Sequence, residues 1–226
     1  MLIGVVSLLL MIANSDEPII DTTEGTLLAL LVQKTYIGNS ILFELSAGVF
    51  SGMIIWVFLV YIPANKKRKI LRIHLSERYR SFKINILNQF FFAIRGSVSP
   101  EEVESLLDYQ KFRDFFDGDN KQYWYDIANK LDDDEYYYLR EIQKEMALLS
   151  REAEHVRNNC DIQDEKTQVF LRNLSYMALD FKRTNLSCNY DYTKSLMRFL
   201  WSIFAQWDHI NGQYEEDPIQ LMIDKI

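Results

Sequence analysis

"ILFELSAGVFSGMIIWVFLVYIPANKKRK", residues 41 to 69, passes from hydrocarbon to positive charge, and that boundary decides the architecture. Residues 41 to 62 are twenty-two positions with a single charge, Glu44. At about 1.5 Å per residue they reach ~33 Å as a helix, enough to cross the ~30 Å hydrocarbon core of a bilayer. A buried core helix rarely runs this far without a polar face, so the stretch reads as a transmembrane helix. Trp56 and Tyr61 suit an interfacial belt at its inner end, and Pro63 marks where the helix can stop.

Lys66, Lys67, Arg68, Lys69 and Arg72 follow the apolar run directly. Positive charge flanking a span is retained on the cytoplasmic side, which places the C-terminal part in the cytoplasm. Residues 66 to 83 hold eight Lys or Arg against one acid, a net of +7, whereas residues 84 to 226 hold sixteen against twenty-six, a net of −10. Each of the five collar cations should attract anionic lipid head groups by about 1 kcal/mol, while the acidic remainder is repelled from the same surface. Membrane lipids are therefore expected partners. Nucleic acid is not, because the collar abuts the bilayer and the rest is acidic.

Residues 1 to 13, "MLIGVVSLLLMIA", are apolar but span only ~20 Å as a helix. They read as a short retained segment that forms a hairpin with 41–62 and leaves both ends cytoplasmic, with 14–40 as an extracytoplasmic loop. A cleaved leader is the alternative, with Ala13-Asn14-Ser15 as the small-residue site, although no Lys or Arg precedes the apolar run. The chain thus divides into a membrane anchor, 1–65, and a basic neck with a helical domain, 66–226.

Beyond the collar the expected class is all-α, with no alternating strand. Ile70, Ile73, Phe82, Ile86 and Phe90 form an imperfect helical stripe. Ser99-Pro100-Glu101-Glu102 predicts an N-cap, a first-position proline and a capping-box acid, opening a helix to about Phe116 that ends at "DGDN". Asp132, Asp133, Asp134 and Glu135 are placed to open a long helix to about Asn158. Helices near 164–184 and 191–211 follow. Asp217-Pro218 begins a short terminal helix with Ile219, Met222, Ile223 and Ile226 on one face, and its expected bed is the apolar helix at 196–207. Trp201, Phe204 and Trp207 in that helix are candidates for an interaction surface.

Inside the span, Gly48 and Gly52 stand four apart, with Ala47 and Ser51 as a second small pair. Small residues at this spacing let helix backbones approach, so Gly48, Ser51 and Gly52 are a candidate packing face for the first segment or for a second copy. Glu44 lies one turn before Gly48. As an ionisable residue in a span it is a candidate for an ion path, or else it sits among the outer head groups.

Residues for enzymatic chemistry are sparse, and no catalytic or cofactor-binding residue is singled out. Glu152 and His155 make one Glu-x-x-His, where a di-iron bundle needs two. "DGDN" has its glycine in the wrong position for a calcium loop. Arg151 and His155 in "REAEH" are too closely spaced for the HEPN class of helical ribonucleases. Cys160 and Cys188 cap opposite ends of one predicted helix, too far apart for a disulfide, and no zinc spacing surrounds them.

The design resembles that of small bacterial membrane proteins that serve as accessory or effector components of stress and anti-phage defence systems, a likeness of architecture with no shared motif. It implies a non-enzymatic, membrane-tethered interaction or sensor module that meets a protein partner or a second copy of itself. An oligomeric pore is the second reading. A degenerate nuclease or hydrolase, carried by Arg151 and His155, is the third.

Overall fold

The computed structural model describes residues 2–14, 40–118, 120–132, 136–162, 164–183, 190–208 and 212–226. It is overwhelmingly helical and divides into two compact units, Met1–Lys66 and Lys67–Ile226. The loop 15–39, the acids Asp133, Asp134 and Glu135, and Cys188 lie outside the described residues.

In the first unit, α1 (Leu2–Ala13) packs along α2 (Ser40–Trp56). The contact is close at Gly4, where an added Cβ would stand 1.9 Å from the Met53 sulfur. Gly4 meets α2 near its end while the rest of α1 stays against α2, so the two helices run antiparallel. Ser7 and Ala13 on α1, Asn14 just after it and Ser46 on α2 are buried. The Ser7 hydroxyl donates to the Gly4 carbonyl at 3.2 Å, and the Asn14 amide to the Leu10 carbonyl at 2.8 Å. Apolar residues cover the outward faces, among them Ile3, Val5, Ile41, Leu45 and Ile55.

Val57–Tyr61 then forms a π-helical turn, and α3 (Ile62–Arg95) continues from it without a non-helical residue. The run Ser40–Arg95 is, among the described residues, the one helix long and apolar enough to cross a membrane. Pro63 does not stop it. Proline lacks an N–H and its ring collides with the carbonyl four residues back. The wider π turn, in which the Ile62 N–H reaches back to the Val57 carbonyl, makes room for that ring.

In the second unit the stripe Leu71, Leu75, Tyr79, Phe82, Ile86 and Phe90 of α3 is buried. Phe82, Ile86 and Phe90 agree with the pattern read from sequence. Ile70 and Ile73 do not, being 52% and 42% exposed. Apolar residues occur on both sides of the helix here, and the side carrying Tyr79 is the one whose polar atom finds a partner. Gly96, at φ +68°, ends α3 in the left-handed conformation typical of a helix C-terminus.

The segment expected as one helix from Pro100 to Phe116 is two, α4 (Pro100–Ser105) and α5 (Tyr109–Asp117). Asp108 breaks it. Its carboxylate accepts from the Gln110 and Lys111 N–H groups, which makes it a cap for a new helix. A helix absent from the sequence reading follows, α6 (Lys121–Asp132). Asp132 therefore closes α6 instead of opening the long helix, α7 (Tyr137–Asn159), whose first turn holds no acid.

α7 pairs with α8 (Glu165–Arg183). The pair approaches closely at Ser150 and Ser175, whose hydroxyls donate to each other's carbonyls at 3.3 and 3.5 Å. At the corner Asp164 accepts from the Thr167 N–H and hydroxyl, and these bonds hold its carboxyl below the usual carboxylate range. α9 (Tyr190–Phe204) ends seven residues before the predicted 211. Gln206, at φ +50°, turns the chain into a two-residue antiparallel ladder, β1 (Trp207–Asp208) with β2 (Gly212–Gln213).

The core between these helices is aromatic. Phe112 stacks on Phe204 at 5.1 Å between ring centroids and lies near Phe116, Trp124 and Trp201. At its edge the Arg95 guanidinium sits 5.0 to 5.6 Å from the rings of Phe91, Phe115 and Tyr123 while it pairs with Glu102.

Candidate functional site

The five collar cations take two different positions. Lys66 and Lys69 are exposed and make no ion pair or hydrogen bond among the described residues. The other three reach the ends of helices in their own domain. Lys67 donates to the Asn159 side-chain oxygen at 3.1 Å, Arg68 to the Asp161 carbonyl at 2.6 Å, and Arg72 to the Asp224 carbonyl at 3.4 Å. Carbonyls at a helix C-terminus carry the negative end of the macrodipole, so cations are favoured there. Cys160 sits at the same corner, where burial raises its thiol pKa against the opposing pull of Arg68 and Lys67.

One polar cluster in the domain has no counterpart in the sequence reading. The terminal helix α10 (Pro218–Asp224) is capped by Asp217, as the Asp-Pro pair predicts, through the Ile219 and Gln220 N–H groups. The same carboxylate accepts the Tyr79 hydroxyl at 2.8 and 3.0 Å and the Lys83 ammonium at 3.0 Å. Lys83 also lies 4.7 Å from the centre of the Tyr79 ring. Further bonds join Ser76 to Gln220 and Thr167 to Met222. The terminal helix is therefore bonded to α3 and α8, where sequence reading had proposed the 196–207 helix as its bed. Ile219, Ile223 and Ile226 are buried, and Met222 partly so.

Chemically this cluster is a clasp. Tyr79 is 1% exposed and its hydroxyl is committed to a carboxylate, so no substrate atom reaches it. Burial pushes the phenol well above its usual pKa, and the charge of Asp217 and the hydrogen bond to it push the same way. A group whose folded pKa is raised contributes stability below its unfolded value of ~10, and loses it as pH rises. Tyr79→Phe is therefore expected to flatten the fall in thermal midpoint above about pH 10 relative to the unaltered protein, as followed by circular dichroism.

In the first unit, among the described residues, Gly48 and Gly52 have nothing within 4 Å of an added Cβ, and Ser51 is exposed. This small-residue face is turned away from α1, and the tight contact is at Gly4 instead. Glu44 is exposed, five residues into α2.

Trp201 and Trp207 are partly buried against the core, and Phe204 is 3% exposed. Their contact surface is largely filled by the chain's own rings. Arg151 and His155 are exposed on α7, and Asn159 bonds to the His155 carbonyl at 2.9 Å. Among the described residues no three His, Cys, Asp or Glu side chains converge to hold a metal. Set beside known proteins, the chain matches no family, no curated protein and no solved structure.

Proposed function

We propose that the chain is a membrane-tethered, non-enzymatic interaction module. Its apolar hairpin sits in a cell membrane, and its helical domain lies in the cytoplasm to receive a protein partner. The observation that carries this reading is the Ser40–Arg95 helix, whose most apolar eighteen-residue window is only 6% buried. An apolar helix left bare by its own chain needs a hydrocarbon solvent. Lys66 and Lys69 are the free cations at its cytoplasmic end and meet anionic head groups. The domain's own exposed apolar side chains, Val169, Tyr176 and Met177 on α8 and Leu148 on α7, are where a protein partner is to be sought. Alkaline carbonate extraction of membranes tests the tether, with retention in the pellet as the expected result. Added protease should digest residues 67–226 in inverted vesicles and spare them in right-side-out ones, and the opposite pattern would reverse the orientation.

The open Gly48, Ser51 and Gly52 face favours a second reading, an oligomeric pore in which these residues pack copies together and Glu44 lines the path. Gly48→Leu with Gly52→Leu separates the two. A pore loses both cross-linked oligomers and dye leakage from liposomes by tenfold or more, whereas a tether shows no leakage before or after the change.

A further inference from the structure

Between α1 and α2 the first unit has an apolar crevice of about 220 Å³, lined by Gly4, Val5 and Leu8 on one wall and by Phe50, Ile54 and Phe58 on the other. We infer that it holds one acyl chain of an anionic phospholipid, whose phosphate is met by Lys66. This rests on the membrane reading above.

The lining decides the tail. It is almost wholly apolar, and the hairpin around it exposes apolar side chains on its outer faces, so the medium that fills an open crevice here is hydrocarbon. At about 220 Å³ the space is too small for a helix of another copy, which is ~10 Å across with its side chains, and suits part of a single extended chain. Gly4 sets how closely α1 lies against Met53, because any side chain there would collide with it.

Charge decides the head group. Ile54, Phe58, Ile62 and Lys66 follow one another at intervals of four and so lie along one ridge of the helix. The π turn at Val57–Tyr61, with slightly more than four residues per turn, keeps that ridge straight through its middle. Lys66 is eight residues beyond Phe58, ~12 Å along the helix, and its flexible stem reaches back toward the crevice. A chain seated from Phe50 to Phe58 therefore puts its glycerol near Ile62 and its phosphate within reach of the ammonium.

Native mass spectrometry of the full chain in mild detergent, with phosphatidylglycerol and phosphatidylcholine added in equal amounts, tests this. The expected result is one phosphatidylglycerol retained per chain, with at least tenfold less phosphatidylcholine. Val5→Trp and, from the other wall, Ile54→Trp fill the crevice and should each reduce retention tenfold, with circular dichroism confirming that the helices remain. Lys66→Gln should keep weak uptake but abolish the preference for the anionic lipid. Equal retention of the two lipids by the unaltered chain, a measurement that needs no variant, overturns the inference, as does undiminished retention in folded Val5→Trp. A chain that stays dispersed without detergent overturns the membrane reading itself, whereas one that needs detergent but shows no lipid preference overturns only the lipid site.

Discussion

Phe112→Ala is expected to destabilise the domain by about 3–5 kcal/mol, the range for removing a large aromatic side chain from a packed core. Phe112 is fully buried and has close ring contacts with Phe116, Trp124, Trp201 and Phe204, so the space it leaves is bounded on most sides by rigid planes. Rings of that size do not collapse into a vacancy as methyl groups can, which puts the effect toward the upper end. At about 2–4 °C per kcal/mol for a unit of this size the thermal midpoint should fall by roughly 10 °C. Near-ultraviolet circular dichroism in detergent reads the change directly, because Trp124 and Trp201 report their own packing. A loss below about 1 kcal/mol would mean that these rings are not packed as described.

Asp217→Ala is the second large effect, at about 4 kcal/mol. Two losses combine. The cap of α10 contributes about 1 kcal/mol. Removing one partner of a mostly buried pair leaves the other charge unpaired, for which about 3 kcal/mol is the low end. The Lys83 and Asp217 side chains are 16% and 11% exposed, so solvent screens them only in part. Asp217→Asn should fall between, since an amide still caps the helix and accepts from Tyr79 but no longer neutralises Lys83. The discriminating measurement is hydrogen exchange in residues 218–226. The alanine variant should exchange there at rates of an unfolded peptide, and unchanged protection would show that the clasp contributes little.

What the sequence disclosed of this cluster, and what it did not, follows from range. Asp217-Pro218 is a local signal, two adjacent residues whose roles depend only on the helix they open. Tyr79 and Lys83 lie 138 and 134 positions away from the carboxylate they meet, and no periodicity links them to it. The bare helix was legible for the same local reason, as twenty-two residues with one charge. Pro63 misled because its usual consequence is a stop, and the π turn that absorbs it has no sequence marker. Asp108 was passed over because a single acid in a helical pattern is commonplace, and only its bonds to Gln110 and Lys111 show it capping. α6 went unread because "KQYWYDIANKLD" mixes aromatic and polar residues without a clear stripe until Ile127 and Leu131 are seen to be its buried positions. Of the candidate sites, the collar was legible as charge but not as geometry, and the crevice at Gly4 depends on which face α1 presents.

The division within the collar bears on which changes the chain can tolerate. On the membrane reading proposed above, Lys69 would meet a fluid surface, so an arginine would serve there as well as a lysine, whereas Lys66 would be held to its place on the ridge by the lipid phosphate it meets. Lys67, Arg68 and Arg72 answer to fixed oxygen atoms on Asn159, Asp161 and Asp224, and there side-chain length and the direction of each N–H matter. Five residues that look alike on a charge plot should thus drift at different rates among variants selected for a folded domain. Lys69 would wander within its sign, whereas Lys67, Arg68 and Arg72 would keep their chemical identity.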